Sequence, residues 1–280
     1  MMSDSARSNL LLPALSLCQL ELVRFVRQPN RVVGALATPI VFWLLIGAGM
    51  GRSFHADSSP AAAPTAGAGG YIEYFFPGTI LMVLLFTAIF STISIIEDRR
   101  EGFLQSVLVA PIPRMAVVLG KVLGGTLLAT AQGVIFLLLA PLIGIHLGIF
   151  SSVLSIAMML VVSFALTALG LCIAWRMSST QGFHAIMNLF LMPMWFLSGA
   201  LFPASGAWKG LQWVMRLNPL TYGLAGLRQA LYWHHAPATS AAGAAMPGLV
   251  TSLVVSAIFA VGMFLLAAQI ATARVRADLH

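Results

Sequence analysis

The chain has 280 residues, 59% of them hydrophobic and only 8% charged, with a mean hydropathy of +0.94. Soluble domains carry roughly 25% charged residues, so this balance excludes a soluble enzyme. It also excludes nucleic acid as the partner of the formal +7 charge, because that reading needs a clustered basic face on a soluble domain. Apolar runs near 20 residues, enough to cross about 30 Å of hydrocarbon as helix, recur along the chain.

The pattern predicts an all-α polytopic membrane protein, one membrane domain over residues 1–280. Six transmembrane helices are read at about 32–51, 76–96, 117–139, 150–174, 183–201 and 249–270. At the N-terminus, Arg7 precedes Leu10, Leu11 and Leu12 as in a secretory leader, but Pro13 breaks the run and no small-x-small cleavage site follows. Residues 13–28 instead read as an interfacial helix. Pro13 suits its first turn, Leu15, Cys18, Leu22, Phe25 and Val26 gather on one side, and Glu21, Arg24 and Gln28 share another. Such a helix lies at the inner headgroups with its basic residues outward; an ordinary polar lead-in to the first span is the alternative. A flexible external loop over 52–74, rich in Ala, Pro, Ser and Gly, buries little.

After the second span stand five consecutive ionisable residues, Glu97, Asp98, Arg99, Arg100 and Glu101, followed by Gly102. At about 2.5–3.5 kcal/mol for each Asp or Arg at the bilayer centre, they must stand in water or against a protein partner. Over 97–111 the chain reads as a cytoplasmic helix with Phe103, Leu104, Val107 and Leu108 on one side, Glu101 and Gln105 elsewhere, and Pro111 and Pro113 ending it. A charged collar with an apolar knob suits docking to a partner; the other reading is that the charges stop the span and the apolar side rests on lipid. Lys121 is expected to snorkel to the inner headgroups.

Within the spans, Thr87, Ser91 and Ser94 share one side of the second, and Asn188 lies in the fifth with Pro193 beyond it. Thr87, Ser91 and Asn188 are candidates for a translocation path, although Ser and Thr at such spacing also serve helix packing. His184 and the other histidines lack ligand-spaced companions and read as structural or interfacial. Residues 202–247 are read as external, with short helices at about 206–216 and 220–233 dipping into the outer leaflet and Trp208, Trp213, Tyr222, Tyr232 and Trp233 near the interface.

The basic residues set the orientation. Arg7, Arg24, Arg27, Arg31, Arg99, Arg100, Arg114, Lys121, Arg176, Arg274 and Arg276 fall inside when both termini are cytoplasmic, and only Arg52, Lys209, Arg216 and Arg228 fall outside. Anionic lipid is then a partner of the inner surface. Cys18 and Cys172 sit near that side, where a disulfide is not expected.

Between Gly102 and Ala277 there is no Asp or Glu. That argues against ion-coupled carriers, which place carboxylates at membrane depth, and against carboxylate-dependent membrane enzymes. Gly120 and Lys121 do not make a phosphate loop, because position 115 is Met115. The chain itself is expected to hydrolyse no nucleotide and to hold no metal or cofactor.

The run Phe76-Pro77-Gly78, the charged collar through Leu104, Val109-Ala110-Pro111-Ile112 and Lys121 resemble the permease subunit of type-2 ABC exporters. Leu197-Ser198-Gly199-Ala200-Leu201-Phe202-Pro203 and Asn218-Pro219-Leu220-Thr221-Tyr222 are similar to that family's carboxyl half. The nearest branch is that of daunorubicin-resistance and lipo-oligosaccharide exporters. The resemblance implies an ATP-driven exporter of a drug, lipid or saccharide in an inner (plasma) membrane. It also implies a second permease copy or paralogue, and a separate ABC ATPase subunit that binds ATP and Mg. By the same resemblance Glu97, Arg100, Glu101, Gly102, Phe103, Leu104, Val107 and Leu108 belong to a coupling helix seated in that ATPase. A membrane scaffold for envelope or cofactor biogenesis, without transport of its own, is the alternative.

Overall fold

The computed structural model describes residues 10–27, 29–50, 69–102, 113–233 and 247–277. Every regular element among them is helical: α1 Leu11–Val26, α2 Pro29–Met50, α3 Gly69–Ser91, α4 Ile93–Arg100, α5 Arg114–Leu137, α6 Ile149–Ala174, α7 Thr180–Phe196, α8 Lys209–Leu217, α9 Pro219–Leu231 and α10 Leu249–Ala277. Short 3-10 turns occupy Ala140–Ile143 and Ala204–Gly206. Four stretches among the described residues are long and apolar enough to cross a membrane: Tyr71–Arg100, Arg114–Ile143, Ile149–Ala174 and Leu249–Thr272. The other two expected spans fall on α2, 22 residues long with its apolar part at Leu36–Gly47, and on α7, which has only 17 residues.

α3 is apolar all round, the signature of a helix surrounded by protein, and it is the axis of the bundle. Tyr71, Phe75, Phe76 and the run Ile80–Leu85 are fully buried, and α2, α5, α6 and α9 pack around them. α3 therefore begins at Gly69, inside the segment expected as loop, because Tyr71 and Tyr74 are core residues there. Residues 51–68 of that loop lie outside the described residues.

α1 lies along α5, and small residues set the distance. A Cβ on Gly120 would stand 2.7 Å from both the Ala14 carbonyl oxygen and the Leu17 Cβ; one on Gly124 would stand 2.8 Å from the Glu21 Cβ. This small-xxx-small pair lets two helices touch backbone to backbone. Gly120→Leu should thus lift α1 from α5 and destabilise the protein by about 1–3 kcal/mol as overpacking does. A thermal unfolding shift of the detergent-purified variant would register it, with Gly49→Leu, which has open space around its Cβ, as the control.

Two expectations are corrected here. Glu21, on the polar side of α1, does not face headgroups: with Ala14 and Cys18 it is buried against α5, while Leu11, Leu12, Leu15 and Val26 are exposed. In a membrane protein that inversion is the economical one, since lipid solvates leucine and the bundle solvates the carboxylate. The second short external helix, α9, is likewise packed inside the bundle against α3, α6 and α10, with Leu220, Leu224 and Leu227 buried, whereas α8 presents Trp213, Val214 and Leu217 outward. Gly223 and Gly226 allow that approach, meeting Val162 and Met158 of α6.

Candidate functional site

The collar after the second span divides into three environments. α4 ends at Arg100, and Gly102 adopts φ +77°, the left-handed stop that terminates helices. Residues 97–100 are therefore the last turn of the second span rather than the first turn of one helix over 97–111. Phe103, Leu104, Val107 and Leu108, the expected docking knob, lie outside the described residues. Arg100 and Glu101 are exposed at the end of α4. Arg99 donates to the Trp175 and Met177 carbonyls at 2.8 and 3.0 Å, and Arg100 to that of Ser178 at 3.1 Å, so this basic pair caps the carboxyl end of α6.

Asp98 turns the other way. It is 1% exposed and accepts from Lys121 Nζ at 2.5 Å and from Arg24 Nη1 at 2.5 Å. Lys121 also donates to Ser94 Oγ at 3.0 Å and to the Glu21 carboxylate. Its three N–H donors are thus all used. Lys121 is buried at the α1–α4–α5 junction, which overturns its expected place among headgroups. The physical reason is charge balance: two carboxylates and two cations make a neutral set, and an ion leaves water only when so paired. Burial and, behind it, the Glu21 charge raise the thiol of neighbouring Cys18; both cysteines are free and buried.

Beside this node a cavity of about 630 Å³ opens between α2, α3 and α7. Thr87 and Ser91 of α3 and Asn188 of α7, the three path candidates, all line it. So do Thr180, His184 and Met192, at four-residue spacing with Asn188, which puts one stripe of α7 along the wall. Phe86 and Phe90 form the facing wall, and Phe90 packs on the His184 ring with centroids 4.9 Å apart. Thr38 and Pro39 of α2 contribute a third side, and Phe25 and Glu97 stand at the α1 end. Glu97, expected in the coupling helix, also borders the cavity. The Thr87 hydroxyl donates to the Gln132 side chain and Ser91 to the Ala88 carbonyl at 2.7 Å, so both hydroxyls already have partners within the protein. Ser94, on the same side in the sequence, belongs to the ion node. Thr180 was not singled out from sequence and His184 was read as structural or interfacial; the i, i+4 repeat with Asn188 was the signal that could have placed them at the cavity.

Beyond the cavity lining, α7 continues into an aromatic cluster. Trp195, one turn beyond Met192, packs between Phe42 and Phe75 with centroids at 5.8 and 6.1 Å, and its indole donates to the Gly78 carbonyl at 2.9 Å. Tyr74 donates to Gly199 at 2.9 Å, Tyr71 to Leu201 at 3.0 Å and Tyr232 to Glu73 at 2.8 Å, all on backbone carbonyls. Arg228 Nη2 reaches the Tyr74 carbonyl at 3.2 Å with its guanidinium 4.3 Å over that ring. The first turns of α3 are in this way tied to the ends of α7 and α9. The lining is uncharged apart from Glu97 and His184, and mixed polar and aromatic.

Comparison with known proteins settles what kind of chain carries it. The sequence pattern of the ABC-2 type transporter family matches residues 14–232. The chain belongs to the ABC-2 type transporter family. Among relatives, it is 25% identical over 214 residues to the "putative transport permease ycf38" of Cyanophora paradoxa, covering 76% of this chain and 71% of that one. It is 26% identical over 205 residues to the protein of the same description from Porphyra purpurea (72% and 68% covered). It is also 26% identical over 204 residues to "nodulation protein J" of Sinorhizobium fredii (71% and 73%). This ABC-2 family member is therefore a multi-pass membrane permease subunit of an ABC transporter, and the family implies an ABC ATPase partner.

Proposed function

We propose that this permease exports a drug-sized or lipid-like amphiphile across an inner (plasma) membrane, using ATP hydrolysed with Mg²⁺ in a separate subunit. The cavity is the observation that carries the reading. About 630 Å³ falls inside the 300–1,000 Å³ range of pockets that enclose drug-sized ligands. It holds aromatic surface for an apolar body and Thr38, Ser91, His184 and Asn188 for a polar head. With both termini cytoplasmic, as the positive-inside bias indicates, the α1 end of the cavity faces the cytoplasm and the Trp195–Phe42–Phe75 cluster lies on the outward side. Cargo then enters from the inner side, and ATP-driven movement parts Trp195 from Phe42 and Phe75. Six spans supply half of the usual membrane set, so a second copy or a paralogue completes the path. The exposed polar edge of α7, with Gln181, His184 and Asn188, is consistent with a shared chamber.

In this reading Phe103, Leu104, Val107 and Leu108 seat in the ATPase, with Glu101 and Gly102 at the rim. Phe103→Asp combined with Leu104→Asp should abolish co-purification of the ATP-binding subunit while leaving the permease in the membrane. Inside-out vesicles of the parent should accumulate a fluorescent lipophilic dye only with ATP. Accumulation in right-side-out vesicles, or ATP-dependent uptake by the double variant, would overturn direction and docking respectively.

A further inference from the structure

The hydroxyl protons along the cavity are already committed to the protein. Thr87 gives its proton to the Gln132 side-chain oxygen, and Ser91 gives its own to the Ala88 carbonyl at 2.7 Å. A hydroxyl has one proton and two lone pairs, so toward the cavity these two present lone pairs only. They stand one helical turn apart on α3, and α4 continues the same span to Glu97. Glu97 adds a carboxylate to the lining, an acceptor with nothing to donate when ionised. Phe25, Phe86 and Phe90 add ring faces, which carry the negative part of the aromatic quadrupole.

The charge balance points the same way. The chain has 15 Lys and Arg against 8 Asp and Glu, yet the described residues lining the cavity include Glu97 and neither Lys nor Arg. The nearby cations are held elsewhere. Arg24 and Lys121 are paired with Asp98 and Glu21, and Arg99 and Arg100 donate to the Trp175, Met177 and Ser178 carbonyls. An anionic head group would therefore meet a carboxylate, oxygen lone pairs and ring faces, all of which repel it. A protonated amine is attracted by all three.

We propose that the cavity selects cationic amphiphiles, with a protonated amine held toward Glu97, Ser91 and Thr87 and an apolar body against Phe86 and Phe90. The inference rests on the reading of this cavity as the cargo site and adds the charge of the cargo to it. A merely apolar chamber ranks cargo by size and hydrophobicity; this one ranks cargo of equal body by its head group.

The test uses pyrenebutylamine, pyrenebutanol and pyrenebutyric acid, which share one apolar body and near neutral pH carry an ammonium, a hydroxyl and a carboxylate. ATP-dependent uptake of each is titrated in inside-out vesicles holding the permease and its ATP-binding subunit, with the proton gradient collapsed by an ionophore. The half-saturating concentration of the amine should be lower than that of the acid by about tenfold or more, with the alcohol between them. In Glu97→Gln the ratio should fall below about threefold through weaker uptake of the amine, with the alcohol unchanged, and Glu97→Asp should keep the preference. Because the ratio is taken within one variant, a general loss of turnover cancels from it. If Glu97→Gln hydrolyses no ATP, nucleotide-free binding of the same probes to the purified complex replaces uptake. A parent that takes up the acid as well as the amine, or a ratio that survives Glu97→Gln by either measurement, overturns the inference. In that case the cavity still stands as the cargo site if Asn188→Trp abolishes uptake of all three probes. A parent that takes up none of them with ATP overturns the transport reading itself and this inference with it, so the two failures are distinguishable.

Discussion

Lys121→Met should lose most folded permease, while Lys121→Arg should be recovered near parental yield. Removing the ammonium leaves the Glu21 and Asp98 carboxylates buried, 5% and 1% exposed, with Arg24 as the one remaining cation of the node. Breaking a buried pair by deleting one partner costs about 3–5 kcal/mol. Since domains are stable by only about 5–15 kcal/mol, that is a large share of the whole. The paired substitution Glu21→Gln/Lys121→Met should recover most of the loss, because a neutral replacement of both partners is often close to isoenergetic. Yield and thermal midpoint of the three variants in one detergent decide it. Equal destabilisation by Lys121→Met and by the double variant would mean that packing of the lysine stem, not charge balance, holds α1 in place.

How much of this was readable from the residues follows from which interactions are local. The apolar runs that became α3, α5, α6 and α10 were legible because length and hydropathy alone fix a span. The end of α7 was not, since Gly199 adopts φ +89° and turns the chain out of helix three residues past Phe196. α9 reads as interfacial by its short length and Arg228, yet glycines facing α6 draw it inside, a fact that depends on the partner helix. The ion node is the sharpest case. Glu21 and Asp98 each look like surface charges, and Lys121 like a snorkelling lysine, because their partners lie 100 and 23 residues away. The available hint was Lys121 flanked by Gly120 and Gly124 in an otherwise apolar run, since a charge among small residues in a span points to a helix packed close enough to pair it. At the cavity the sequence offered Thr87, Ser91 and Asn188 on two separate helices, and the fold sets them around one space. The aromatic cluster of Trp195, Phe42 and Phe75 comes from three helices and has no sequence pattern to read.

Asn188→Trp should abolish transport without unfolding the protein. Asn188 is exposed to the cavity and no intramolecular hydrogen bond is recorded for its side chain among the described residues, so replacing it costs the fold little. The indole, in contrast, would project between Phe86 and Phe90 on one wall and Thr38 on the other, in the space assigned to cargo. Crowding a well-defined site costs about 1–3 kcal/mol, and each 1.4 kcal/mol is tenfold in affinity. Uptake into inside-out vesicles should therefore fall by about ten- to a hundredfold. Leu189→Trp is the matched control: Leu189 is the next residue of α7, is 69% exposed and does not line the cavity, so uptake should be unchanged. The ATPase rate of the complex adds a second reading. If the chamber is the cargo site, Asn188→Trp should keep basal hydrolysis and lose its stimulation by the dye, because the proposed function puts nucleotide turnover in the partner and cargo occupancy in the permease. Loss of basal hydrolysis as well would place the defect at assembly rather than at the chamber. Full transport by Asn188→Trp would move the cargo path away from the α3–α7 cavity altogether.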